Sequence, residues 1–189
     1  MADTLYTYED LIATNYVANA NTGAITSEKH RSAMKSLFGC FGQLDTNGVL
    51  APISKNLTGT PSILTGFTSA NNVSGNLTVD AAAGTITLPS SGAGGTYWVW
   101  YEFEVLTASE TGLLEAFIYV SGSAKQCLYG SVDVVVGAKR YPFSRGALVN
   151  LSASQVLTFR VNGAGGMATT TGTNFLGTWG AYRVKRVPD

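Results

Sequence analysis

Charged side chains are scarce in this chain. Asp, Glu, Lys and Arg make up only 13% of its 189 residues, roughly half the usual share for a soluble domain. The 12 basic and 12 acidic residues cancel, whereas nucleic-acid-binding proteins carry a basic excess, so we expect no nucleic-acid partner. Because 45% of the residues are hydrophobic, the low charge also predicts that neighbouring molecules cover much of the surface.

Side chains that usually carry catalysis or bind metals are also few. The one histidine, His30, is interpreted as a partly exposed residue of a predicted helix. No Ser-His-Asp signature, Cys/His cluster of metal-ligand spacing or phosphate loop is visible. Glu102 and Glu104 lie two apart, and a structural role for them is favoured over acid/base chemistry or cation binding. We therefore expect no enzymatic activity, no catalytic residues, no cofactor and no metal.

Long hydrophobic runs and a secretion signal are absent as well. No apolar run approaches the roughly 20 residues of a membrane span, and no cationic stretch with a following apolar core opens the chain. We expect a protein that is made in a cytoplasm and has no membrane partner. Cys40 and Cys127 are interpreted as free thiols, and a disulfide between them is left open.

The clearest pattern in the chain is an alternation of two kinds of side chain along residues 95–105, as in a strand with two different faces. In a strand, successive side chains point to opposite faces. One face then carries Tyr97, Val99, Tyr101, Phe103 and Val105, and the other carries Trp98, Trp100, Glu102 and Glu104. The first set is typical of a core. The second places two indoles on a side that a monomer would expose to water, so we predict that this face is buried against other copies of the same protein.

Shorter strand patterns surround this one and predict an all-β sandwich or barrel. They are residues 62–64, 76–80, 85–89, 113–120, 126–136, 147–151, 156–162 and 175–187. Residues 163–172 are rich in Gly and Thr, a composition that predicts a mobile loop.

Residues 1–48 differ from the rest of the chain. Thr26 or Ser27 is placed to cap a helix, and apolar residues fall near one stripe at helical spacing. The stripe consists of Ile25, Met34, Leu37, Phe38 and Phe41. A single amphipathic helix cannot bury its stripe alone, so its partner is the body of the protein, a second copy or a different protein. We predict an N-terminal helical anchor over residues 1–48, a linker over residues 49–60 and a β-domain over residues 61–189.

From about residue 60 onwards, the order of the β-like pieces resembles that of a C1q/TNF-like jelly roll. The motifs are Leu77-Thr78-Val79-Asp80, Gly84, Ile86-Thr87-Leu88-Pro89, Gly95-Thr96-Tyr97-Trp98-Val99 and Phe175-Leu176-Gly177 with Thr178-Trp179. Residues 151–155 depart from the family's pattern before the penultimate strand.

This resemblance implies a jelly-roll sandwich that forms a homotrimer through one of its sheets. The implied trimer interface consists of Trp98, Trp100, Glu102, Glu104, Phe175 and Trp179. Arg183 or Lys185 would then neutralise the carboxylates.

A second resemblance covers residues 21–38. Asn21-Thr22-Gly23-Ala24-Ile25-Thr26, followed by Arg31 and Leu37-Phe38, is similar to a segment near the start of bacteriophage virion proteins. Together the resemblances imply a virion structural protein made in the host cytoplasm. It would be a trimeric capsid decoration, cement or head-fibre protein whose N-terminal anchor docks on the major capsid protein or another virion protein.

The alternative is a tail-fibre or tail-tip protein that binds a host protein or glycan receptor. C1q-like heads bind through loops, which here would be residues 90–95, 107–112 and 163–174.

Overall fold

The computed structural model describes residues 41–46, 53–72, 77–91, 93–107, 111–135, 139–165, 167 and 173–186. Thirteen strands run through these residues. They are β1 (Phe41–Asp45), β2 (Ile53–Lys55), β3 (Ser62–Ile63), β4 (Ser69–Asn72), β5 (Thr78–Asp80), β6 (Thr85–Thr87), β7 (Gly95–Thr107), β8 (Gly112–Val120), β9 (Ser123–Ala124), β10 (Gly130–Val134), β11 (Lys139–Leu151), β12 (Val156–Gly165) and β13 (Thr173–Arg186). This part of the chain contains no α-helix, so the prediction of an all-β body is confirmed. It likewise contains no helix long and apolar enough to cross a membrane.

The strands form two antiparallel sheets. The first sheet has the order β11-β7-β13-β1-β4, with β2 also paired to β13. The second sheet has the order β10-β8-β12-β6-β5, with β3 paired to β12 and β9 paired to β8. One hydrophobic core contains residues of both sheets, which is the arrangement of a β-sandwich.

The inner faces of β7 and β8 follow the period of two that the sequence shows. On β7, the five predicted core residues from Tyr97 to Val105 are each at most 2% exposed. On β8, Leu114, Ala116 and Ile118 are fully buried, and the residues between them face outward. The prediction for the core face of β7 is therefore confirmed.

Aromatic rings join the two sheets across the core. Phe159 on β12 stacks on Phe103 of β7 with ring centroids 4.8 Å apart, and it also contacts Tyr101 at 5.0 Å. Trp179 on β13 stacks on Phe159 at 6.5 Å. Each such pair contributes about 0.5–1.5 kcal/mol beyond its buried area. The centre of the sandwich is thus held by rings from two long strands of the first sheet and one strand of the second.

The first sheet begins earlier in the chain than predicted. Phe41, placed by its spacing in the helical stripe, is the first residue of β1, which pairs with β13. β2 also pairs with β13, although it falls in the predicted linker. Both strands are short and interrupted by polar residues, so their pairing depends on a partner more than 100 residues away. This corrects the start of the β-body from residue 61 to Phe41.

β11 is longer than predicted, because the sequence pattern indicated a strand only over residues 147–151. Its first half contains Pro142 and exposed Arg140 and Arg145, which hide the alternation. Among the described residues, β11 pairs with β7 alone and forms an edge of the first sheet. An edge strand tolerates proline and charge because its free side needs no ladder hydrogen bonds.

Candidate interaction surface

The outer face of the first sheet is the side turned away from the core, and it carries a row of apolar side chains. In the strand register, Leu148 of β11 lies opposite Trp98 of β7, and Trp98 lies opposite Tyr182 of β13. We call these three residues the apolar row. Leu148 is 59% exposed and Tyr182 is 43% exposed. Val184, two residues beyond Tyr182, is also exposed.

The two indoles of this face lie over glycines of the neighbouring strands. A Cβ built on Gly146 of β11 would come within 2.3 Å of the Trp98 ring, and one built on Gly180 of β13 would come within 2.6 Å of the Trp100 ring. Only a residue without a side chain allows such a close approach. Trp100 also contacts the ring of Tyr182, with centroids 5.8 Å apart. The indoles are therefore partly buried by their own sheet and not fully open to water.

Acidic and hydroxyl side chains occupy the next rows of the same face. An open groove of about 380 Å³ lies there, and its lining includes Asp45, Glu102, Glu104, Ser144 and Thr178. This face is thus apolar at one end, where the apolar row lies, and acidic towards the other.

One ion pair within the chain lies in this acidic region. Arg140 of β11 donates a hydrogen bond to Glu104 over 2.8 Å. Arg183 and Lys185 were predicted as partners for Glu102 and Glu104 at the seam of a trimer, and for them this stays a prediction. The two side chains of the pair are 65% and 35% exposed, so the pair contributes only about 0–1 kcal/mol.

Two residues predicted for the trimer interface lie in the core instead. Phe175 and Trp179 are fully buried within the single chain. Phe175 lies opposite Val105 and Trp179 lies opposite Tyr101, and directly opposed residues of a sheet share a face. Their assignment to the outer face is therefore wrong, whereas Trp98, Trp100, Glu102 and Glu104 do share the outer face. Tyr182 and Leu148 occupy the neighbouring outer positions.

The anchor prediction lies mostly outside the described residues. This holds for Ile25, Met34, Leu37 and Phe38, as it does for His30 and Cys40. Cys127 is described and is an exposed free thiol in the 3-10 turn after β9.

The outer face of the second sheet is already occupied by its own side chains. The guanidinium of Arg160 lies over the ring of Tyr119 at 4.4 Å. The Glu115 carboxylate accepts hydrogen bonds from Tyr129 Oη and Asn162 Nδ2, both at 2.8 Å. The alternation along β8 could have indicated this cluster, which was not predicted. These contacts join side chains of β8, of β12 and of the residue before β10 on this face.

The connection between β12 and β13 contains one described residue, Met167. Residues 163–165 belong to β12 and Thr173 opens β13, so the connection is shorter than predicted. Met167 within it is fully buried.

One buried tyrosine has a perturbed acidity. Tyr101 is 1% exposed, and its hydroxyl has no hydrogen-bond partner among the described residues. Burial raises the pKa of Tyr101 to about 12, with Tyr129 adding to the rise and Arg145 opposing it. The hydroxyl lies inside the sandwich, so this perturbed pKa does not indicate a reactive group.

Within the described residues, no three His, Cys, Asp or Glu side chains come together as a metal site. The comparisons with known proteins also give no assignment. No family model matches the chain, and no curated protein matches it.

Proposed function

We propose that this chain is a structural protein of a bacteriophage particle and assembles as a homotrimer through the outer face of its first sheet. The observation that carries the proposal is the apolar row, in which exposed Leu148 and Tyr182 flank an indole. Large exposed apolar clusters on a soluble protein indicate a surface that another molecule covers. The seam then contains Trp98, Trp100, Glu102 and Glu104 as predicted, with Tyr182 and Leu148 in place of the two buried aromatic residues.

The strand order supports a jelly roll of the C1q/TNF-like kind. After β7 in the first sheet, the chain places β8 and β10 side by side in the second sheet. It then returns to the first sheet as β11, crosses to β12 and ends as β13, so that β7 is flanked by β11 and β13, and β8 by β10 and β12. Greek-key crossings between two sheets are the defining connections of a jelly roll.

The viral part of the proposal depends on the resemblance of residues 21–38 to virion proteins and on the low charge of the chain. Capsid decoration or a head fibre is favoured, because a trimer of this β-body would suit a molecule that caps a local symmetry axis. Three linked anchors would convert weak contacts with the capsid into avidity. The N-terminal anchor would dock on the major capsid protein or another virion protein.

The first test is the mass of the protein in solution and its response to Leu148→Glu. A buried charge without a partner costs several kcal/mol, and each 1.4 kcal/mol is about tenfold in association. We expect the parent chain to sediment as a trimer and Leu148→Glu to raise the concentration needed for association by about 100-fold or more.

Val135→Glu is the matched control. Val135 is 50% exposed but follows β10 of the second sheet, so this substitution adds the same charge away from the seam. The trimer proposal would be contradicted by a parent chain that stays monomeric at high concentration. It would also be contradicted if the two substitutions changed the concentration needed for association equally.

A second test separates the head from the tail. Antibody labelling of intact particles should mark heads if the protein decorates the capsid. Purified protein that competes with particles for adsorption to host cells would instead favour the tail-tip alternative.

A further inference from the structure

The Trp98 ring leans across the outer face of the first sheet towards the neighbouring strand β11. The three heavy atoms nearest to a Cβ on Gly146 would all belong to this ring, and the third of them would be only 3.0 Å away. Leu148 is the residue directly opposite Trp98, whereas Gly146 lies two residues earlier on β11. The ring therefore lies diagonally over the sheet, in space that a side chain at position 146 would fill.

The Trp100 ring covers a second glycine on the other side of β7. Gly180 of β13 lies opposite Trp100, and two atoms of the ring would be within 2.8 Å of a Cβ on Gly180. Gly146 lies opposite Trp100 on β11, so the two glycines flank this indole in one row across three strands. Both indoles thus lie over glycine positions, which keeps this part of the outer face level.

A level face suits contact with another sheet. Sheets that stack face to face lie about 10 Å apart, and side chains of both sheets share the space between them. An indole that stood upright would take up most of this space by itself. It would then hold a second sheet away from the exposed side chains of Leu148 and Tyr182.

We propose that Gly146 is a positioning residue for self-association: it leaves room for the Trp98 indole to lie over β11, so that the level outer face of a second copy can pack on this one, sheet against sheet. This inference rests on the proposed function, because it concerns the same seam. Leu148 and Tyr182 then supply the apolar contact, and Gly146 acts through the orientation of the Trp98 ring.

Gly146→Ala tests this role without adding a charge to the face. The backbone of Gly146 is not in the left-handed region, so alanine meets no conformational penalty, and the nearest obstacle is a side chain that can turn outward. Gly59→Ala is the matched control, because nothing lies within 4 Å of a Cβ added there. Gly146→Ala is also combined with Trp98→Leu, whose shorter side chain does not reach over position 146.

Two quantities are measured for each variant. They are the concentration at half-association, from sedimentation, and the acrylamide quenching of the Trp98 emission at a concentration where the chain is monomeric. The Trp98 emission is isolated by subtracting the signal of the matching Trp98→Phe variant. Urea unfolding shows that each variant is folded under these conditions.

We expect Gly146→Ala to raise the concentration at half-association by about tenfold or more, as the loss of one anchor of an interface does. Its Trp98 emission should be quenched more strongly than that of the parent, because the ring is turned towards water. Gly59→Ala should match the parent in both measurements. When Trp98→Leu is already in place, Gly146→Ala should change the concentration at half-association by no more than about twofold.

Three results would overturn the inference while the seam itself stands, provided that Leu148→Glu still weakens association. The first is stronger quenching of Trp98 in Gly146→Ala with unchanged association. The second is unchanged quenching, because the alanine would then not have moved the ring. The third is an equal loss of association with and without the Trp98 ring, because the alanine would then act by another route.

A variant that does not fold leaves a second comparison. If Gly146→Ala is unfolded, Trp98→Leu alone should raise the concentration at half-association by about tenfold or more, and association equal to that of the parent would overturn the inference. If the parent chain does not associate at any concentration, the proposed function fails and this inference fails with it.

Discussion

Alanine at Gly130 tests how tightly the two sheets close on each other. Gly130 lies on β10, where a Cβ would come within 2.2 Å of the hydroxyl oxygen of Tyr101 but 3.4 Å from its ring carbon Cζ. The first contact is far too short and the second is ordinary. The backbone of Gly130 is not in the left-handed region, so alanine meets no conformational penalty there. The steric conflict is therefore confined to one oxygen atom.

The magnitudes follow from that single conflict. Gly130→Ala should lower the free energy of unfolding by about 1–3 kcal/mol, as overpacked cores do. Tyr101→Phe should be neutral or stabilising by about 1 kcal/mol, because it removes a buried hydroxyl that has no hydrogen-bond partner in the described part of the chain. When Tyr101→Phe is already in place, the alanine should stabilise by about 0.5–1 kcal/mol, since glycine is the poorer strand residue. The two substitutions are thus coupled by about 2 kcal/mol or more.

Urea unfolding of the parent, both single variants and the double variant measures this coupling. All four are compared at one protein concentration, because self-association would add to apparent stability. Equal slopes against urea would show that the unfolded states are comparable. An alanine that costs the same with and without the Tyr101 hydroxyl would refute the packing of β10 against β7 described above.

Three further outcomes are expected. Because burial raises the pKa of Tyr101 to about 12, the unfolded chain loses the hydroxyl proton at a lower pH than the folded chain does, and the free energy of unfolding should fall by about 2–3 kcal/mol as pH rises from about 10 to 12. In urea titrations, Tyr101→Phe should remove the part of this fall that is due to Tyr101. A fall in the free energy of unfolding that is the same in the variant would contradict the burial of the hydroxyl. Met167→Ala should lower the free energy of unfolding by about 2–5 kcal/mol, whereas Leu106→Ala, at an exposed site, should change it by about 0.5 kcal/mol or less. Thermal melting measures both variants, and equal losses of stability would contradict the burial of Met167. Gly180→Ala should lower the free energy of unfolding by about 1–3 kcal/mol, because its Cβ would meet a backbone oxygen of β1 at 2.6 Å. Gly59→Ala, with open space around it, serves as the control. If the Gly180→Ala variant is as stable as this control, β1 and β13 do not approach so closely.

Strands β7 and β13 show where local pattern and tertiary pairing separate. Alternation along β7 correctly divided the strand into a core face and an outer face, because a period of two needs only the strand itself. Along β13 both faces contain apolar residues, and the local pattern does not indicate which of Phe175 and Leu176 points inward. The register with β7 decides this, and it turns Phe175 and Trp179 into the core. A one-residue change of register would reverse every side chain of the strand.

Composition and alternation alone predicted an all-β body, the inner and outer faces of β7, and the unusual position of Trp98 and Trp100. These features depend on residues close together in the chain. The glycines beneath the indoles, the joining of β1 to β13 and the edge position of β11 depend on pairings between distant segments. Such pairings are selected by the packing of the whole sandwich, so they appear only once the tertiary structure brings the strands together.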